Sequence, residues 1–267
     1  MFTLPGLKTL QQNPIYQRER GGWGNSNRYY ANLSRYSPFI ILAVIILGAC
    51  TAFNPAIYTG IEADEAMVVV WVLLCLPGLL LTMLTLYGSL MAPALTAPLI
   101  STERAHKTWD MLRATPYSLN TILLAKLFGA LSRLRIWPVL FLLTLFQGFV
   151  TFCVLALAGS NMAAYSWLIG LIVLARPWLE ILFAAFTGMF ISTVVRSASN
   201  ALVAAYTTVV LFKLLNSSAA WLVIISYMEA NKFSYIVTLA GPTLAYGTAV
   251  LLLWLGIVRQ ARKLADE

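Results

Sequence analysis

The chain has 267 residues, 60% of them hydrophobic and only 10% charged, with a formal charge of +8. Soluble domains are about a quarter charged, so this composition excludes an ordinary soluble domain and predicts an integral membrane protein. The only histidine, His106, excludes a His-rich metal site and a two-histidine haem site. Cys50, Cys75 and Cys153 fall in apolar runs without a paired spacing, so neither a disulfide framework nor a zinc site is expected.

The N-terminal stretch MFTLPGLKTLQQNPIYQRER lacks a cationic head, a long apolar run and a small-residue cleavage site, and does not read as a cleavable signal peptide. Residues 1–37 are too polar to span. They are expected to form a cytoplasmic or interfacial segment, with a short helix around Leu7–Arg20 and then a Gly/Asn-rich turn leading into the first span. A solvated tail is the alternative.

Spanning helices need about 20 apolar residues. Six candidate spans follow: Pro38–Phe53, Met67–Ala92, Ile136–Ala158, Tyr165–Val194, Asn200–Ser226 and Val237–Val258. Continuous apolar runs favour helices over a barrel, whose strands alternate. Lysine and arginine gather before span one, between spans two and three (Arg104, Lys107, Arg113, Lys126, Arg133, Arg135), at Arg196, and after span six (Arg259, Arg262, Lys263). The loop between spans one and two holds Glu62, Asp64 and Glu65 without a cation. The positive-inside rule therefore places both termini in the cytoplasm, with an even number of spans. Topology and anionic lipids account for the basic balance, with no nucleic acid needed.

After span two, Pro93 and Pro98 predict a bend. Thr102–Arg113, drawn as one helix, puts Ala105, Thr108, Trp109 and Leu112 on one arc, with Glu103 and Lys107 supporting it at i and i+4. Thr115-Pro116 reads as a cap and first helical residue, restarting a helix from Tyr117 through Lys126. The result would be a rigid knob on the cytoplasmic surface.

Further along, Arg176, Glu180 and Lys213 are ionisable residues inside spans, where charge is costly and pairs or faces a cavity. Arg176–Glu180 or Glu180–Lys213 is expected as a bridge between spans four and five. It would either lock these helices, or line a polar pathway or contact an anionic lipid group. Ala184, Gly188 and Ser192, and likewise Gly241, Ala245 and Ala249, recur at spacing four and mark packing faces, within the subunit or between copies. Gly241-Pro242 suggests that Met228–Thr238 is a short re-entrant or interfacial piece.

The order Glu103-Arg104, Thr108-Trp109-Asp110-Met111-Leu112, Thr115-Pro116, Ser118 and Lys126 resembles the cytoplasmic signature of ABC type-2 transporter permeases. Asn13-Pro14-Ile15 with Arg18-Glu19 is similar to that family's amphipathic elbow helix. Lys107 stands where the family often has glycine, and Asp110 where it usually has glutamate. The resemblance implies an all-α integral membrane fold of six transmembrane helices, an interfacial elbow helix and a cytoplasmic coupling helix. The domains would be residues 1–37, a six-span domain over 38–258 with its coupling segment at 101–118, and a cytoplasmic tail over 259–267.

By resemblance, Glu103, Arg104, Lys107, Thr108, Trp109, Leu112 and Arg113 would bind a separate ABC ATPase subunit. The permease would form a homo- or heterodimer with a second permease in contact with membrane lipids, and export an amphipathic or lipid-like substrate. The chain contains no G-x-x-x-x-G-K-[ST] loop and neither a G-x-S-x-G nor an H-E-x-x-H motif. It is therefore expected to be no enzyme and to hold no cofactor, the ATP and magnesium belonging to the partner. The alternative reading is a non-transporting subunit, a permease-like scaffold bound to the other subunits of a respiratory or photosynthetic membrane complex.

Overall fold

The computed structural model describes residues 12–21, 36, 39, 65–157, 160–217 and 232–266. Within them the fold is all-helical. The helices are α1 (Pro14–Arg20), α2 (Glu65–Thr96), α3 (Pro98–Ala105), α4 (Trp109–Arg113), α5 (Leu119–Leu131), α6 (Trp137–Leu157), α7 (Ser160–Val194), α8 (Ala198–Leu215) and α9 (Lys232–Asp266).

Four stretches are long and apolar enough to cross a membrane: Pro77–Ala105, Gly170–Val194, Ala198–Leu215 and Ala240–Leu264. Trp137–Cys153 is apolar but shorter. The expected span Pro38–Phe53 lies outside the described residues, apart from Phe39. Large apolar side chains face outward along α6 (Phe141, Leu142, Leu145, Phe149), α8 (Val203, Leu211, Leu214) and α9 (Leu244, Leu251, Leu252). A helix apolar on its outer as well as its inner face suits lipid rather than water. The chain is thus a helical, multi-pass membrane protein.

Helix α7 is the hub, packing against α2, α3, α6, α8 and α9. Its stripe of small residues explains how. A Cβ on Gly188 would overlap the Thr96 hydroxyl and lie 3.1 Å from the Pro93 Cα and 3.2 Å from the Ala97 nitrogen. Only glycine admits the α2–α3 junction so close. One turn on, the Ser192 hydroxyl accepts the backbone N–H groups of Ile100 and Ser101, each at 2.9 Å. The Ile100 N–H is an orphan donor of the first turn of α3, whose own N-cap, Ala97, has no side chain able to satisfy it. A serine some ninety residues away thus caps α3. Ala184 on the same stripe is fully buried. The stripe Ala184–Gly188–Ser192 is therefore an intramolecular packing face.

Aromatic rings bind α7 to α8 and α9. Phe183 lies 4.3 Å from Phe212 and 5.6 Å from Tyr246, centroid to centroid, and Phe212 lies 5.2 Å from Tyr246. Trp137 of α6 stacks on Trp178 of α7 at 5.5 Å.

The structure corrects several sequence expectations. Helix α9 runs unbroken through Pro242, so Lys232–Thr238 is continuous helix rather than a separate re-entrant piece. Residues 228–231 lie outside the described set. The segment 259–266 continues α9 as helix. Helix α8 ends at Leu215 with Asn216 as its C-cap, short of the expected limit at Ser226, and residues 218–226 lie outside the described set. Asn216 donates to the Pro242 carbonyl at 2.9 Å, tying that end of α8 to α9.

Candidate functional site

The conspicuous polar assembly lies where α1, α3, α4 and α5 meet. Helix α1 is set by local chemistry. The Asn13 side chain accepts the Ile15 N–H at 2.9 Å, Pro14 occupies the first helical position, and Gly21 closes the helix with φ 91°. Ile15 and Tyr16 are buried against α5. The approach is close, because a Cβ on Gly129 would lie 2.8 Å from the Glu19 Cβ and 3.0 Å from the Tyr16 carbonyl oxygen.

Helix α5 reads LNTILLAKLFGAL, an apolar helix with one lysine. Lys126 is 1% exposed. Its ammonium lies 2.9 Å from Glu103, 2.9 Å from Glu19 and 3.3 Å from the Leu99 carbonyl. An ammonium has three donors, and this geometry gives each a partner. Glu103, 6% exposed, is also reached by the Arg18 guanidinium and the Thr108 hydroxyl. Two cations and two carboxylates therefore offset one another, with Lys126, Glu103 and Glu19 largely buried and Arg18 half-exposed at the edge. Removing either member of such a pair strands charge in low dielectric.

The Thr102–Arg113 stretch is not a single helix. Helix α3 stops at Ala105, His106 and Lys107 form a turn, and α4 begins at Trp109. Lys107 has φ 56°, a left-handed backbone that costs a non-glycine residue about 1 kcal/mol. The break carries Lys107 off the helical register of α3 while Glu103 pairs with Lys126, so the expected i,i+4 pair gives way to a tertiary one. The restart is also later than expected. Thr115 donates its hydroxyl to the Leu112 carbonyl at 2.6 Å, closing α4. Ser118 caps α5, accepting the Thr121 N–H at 3.3 Å.

The break also decides what the knob displays. Of the residues expected to contact a partner, Glu103, Trp109 and Leu112 are buried within the chain itself. Thr108 and Arg104 are half-buried, and Arg104 donates to the Thr193 carbonyl at 3.0 Å. Lys107 and Arg113 remain on the surface. The outward face is completed by His106, Asp110, Met111 and Tyr117. Met111, 74% exposed, is the most exposed large apolar side chain of this region.

Behind the knob is an open cavity of about 380 Å³ lined by Arg104, Lys107, Trp109, Asp110, Arg196 and Leu264. It joins α3 and α4 to the α7–α8 link and the end of α9. The Trp109 indole N–H is buried without a hydrogen-bond partner, an arrangement that costs about 1–3 kcal/mol.

The intramembrane cluster forms a second assembly. Glu180 lies 3.1 Å from Arg176 and 3.1 Å from Lys213, so both expected bridges are present at once. Lys213 also donates to the Ser89 hydroxyl at 3.0 Å, which brings α2 into the contact. Ser89 carries no sequence signal, being one small hydroxyl in an apolar helix. Lys126, by contrast, is conspicuous as the lone cation of α5, and the apolar residues around it already demand a partner. No group of three or more His, Cys, Asp or Glu side chains able to hold a metal ion occurs among the described residues.

No protein-family model matches the sequence, and neither a curated protein nor a solved structure matches it.

Proposed function

We propose that the chain is the transmembrane permease subunit of an ABC type-2 exporter, with the knob between α2 and α6 as its coupling element. The observation that carries this reading is the Lys126 latch. It joins the N-terminal helix, the segment after α2 and the helix leading into α6 through the buried pairs of Lys126 with Glu19 and Glu103. Force applied to α4 would pass through Glu103 and Lys126 into the membrane-facing helices without first bending a loop. In a permease, a separate ATPase would seat on the outward face of the knob. Two permeases would pair, and ATP binding would tilt the knobs to open a path for an amphipathic or lipid-like substrate. The knob, both termini and the ATPase would then lie on the cytoplasmic side of the inner membrane.

The buried state of Trp109 and Leu112 shifts the expected contact to Met111 and Tyr117. The test is purification of the chain in mild detergent, with mass spectrometry of everything retained. A stoichiometric cassette ATPase, released by Met111→Glu with Tyr117→Glu, supports the reading. A stable complex with other membrane subunits and no ATPase rejects it in favour of a scaffold that keeps a permease-like knob.

A further inference from the structure

The cavity behind the knob is more specific in its chemistry than a coupling element requires. Three of its lining residues are cations, Arg104, Lys107 and Arg196, set against one carboxylate, Asp110. They come from separate segments: the end of α3, the turn after it, and the α7–α8 link. Arg104 uses one of its donors on Thr193 and keeps the rest of its fork. The side chains of Lys107 and Arg196 make no hydrogen bond or ion pair among the described residues.

Two features show that this arrangement is maintained against local cost. Lys107 holds a left-handed backbone that glycine would adopt without strain, so the position carries a cationic side chain despite its conformation. Trp109, 4% exposed, also lines the cavity and holds a buried indole N–H with no acceptor. Lys107 and Arg196, with the remaining donors of the Arg104 fork, line one cavity and are complementary to an oxyanion. Guanidinium forks match the tetrahedral oxygens of phosphate, and a lysine adds a point charge.

We propose that this cavity binds a phosphate group carried by a hydroxylated molecule, with Arg104, Lys107 and Arg196 on the phosphate oxygens and Asp110 accepting from a hydroxyl. The occupant would tie the α3–α4 turn to the α7–α8 link and to Leu264 at the end of α9. The same phosphate chemistry is offered by an anionic lipid headgroup and by a free phosphate ester. Lys107 and Asp110 also border the outward face, so the site is tested on the chain without an ATPase, where its failure is separate from failure of docking.

The test uses the full chain in phosphatidylcholine nanodiscs, with thermal stabilisation as the readout. One arm titrates glycerol phosphate; the other replaces part of the lipid with phosphatidylglycerol. Arg196→Gln and Lys107→Gly are each expected to weaken the response about tenfold, the loss of one charge-assisted hydrogen bond. Lys107→Gly also relieves the left-handed strain, so it should melt no earlier than the parent without anion, which separates lost binding from lost fold. Arg262→Gln, in the basic cluster of α9 that lines a different cavity, should leave the response unchanged.

Stabilisation by phosphatidylglycerol alone identifies a lipid headgroup; by glycerol phosphate alone, a free ester; by both, a site that reads the phosphate itself. The proposal is overturned if neither probe stabilises the chain. It is equally overturned if Lys107→Gly and Arg196→Gln respond like the parent, or if Arg262→Gln costs as much as they do.

Discussion

The Lys126 ammonium lies 2.9 Å from the Glu103 carboxylate, and both side chains are almost wholly removed from solvent. Such a pair contributes little when compared with an apolar replacement, yet it is costly to halve. Lys126→Met leaves Glu19 without its cation and Glu103 with only the half-exposed Arg18 and the Thr108 hydroxyl, an expected loss of about 3–5 kcal/mol. Lys126→Met with Glu103→Gln should cost clearly less than the sum of the single changes. Thermal unfolding of the four proteins in one detergent measures the coupling. Strict additivity would mean that the two groups do not interact.

Ser192 offers a more local test. Its hydroxyl accepts two backbone N–H groups at the start of α3. Ser192→Ala should cost about 1–2 kcal/mol, the range of a lost N-cap. The distinguishing readout is amide hydrogen exchange at Ile100 and Ser101, which should quicken ahead of exchange elsewhere in α3. Unchanged protection at those two amides would show that the cap is dispensable.

Two helix glycines should respond oppositely to alanine. At Gly188 the added Cβ meets the backbone of Pro93 and Ala97, which cannot move aside as a side-chain tip can. Gly188→Ala should therefore destabilise by about 1–3 kcal/mol, as overpacking does. At Gly247 the nearest atom is the Leu179 Cδ1 at 4.0 Å. Gly247→Ala should be neutral or stabilising by up to about 1 kcal/mol through helix propensity. Equal melting temperatures for the two variants would contradict the close approach of α7 to the α2–α3 junction.

Glu180 holds Arg176 and Lys213 at 3.1 Å each. Glu180→Gln leaves two cations together in the bundle without a counter-charge, and the protein should melt earlier. Lys213→Met added to it should recover part of the loss by removing one of them. If Glu180→Gln alters neither stability nor activity, the cluster neither locks α7 to α8 nor lines a pathway.

Much of the fold was legible in the sequence because hydropathy accumulates locally. A run of apolar residues predicts a spanning helix wherever it later packs, and the helical stretches at 65–96, 160–194 and 198–215 lie on expected spans. The Arg176–Glu180 bridge was legible for the same reason, since residues four apart on a helix are neighbours. Lys213 could be matched to Glu180 only by counting depth from the helix ends. The periodicity of Thr102–Arg113 misled because a helical wheel assumes a continuous helix, and the left-handed turn at Lys107 interrupts it.

The sequence by itself determined that the chain is a helical membrane protein with a charged knob after its second expected span, because composition, run length and cation placement need no knowledge of partners in space. Tertiary structure alone decided what the knob is made of. Lys126 reaches Glu103 across 23 residues and Glu19 across 107, and Ser192 reaches α3 across more than 90. Such contacts form when distant helix faces come together, and no local period encodes them. They turn Glu103, Trp109 and Leu112 inward and leave Met111, Tyr117 and the cationic cavity as the surfaces on offer.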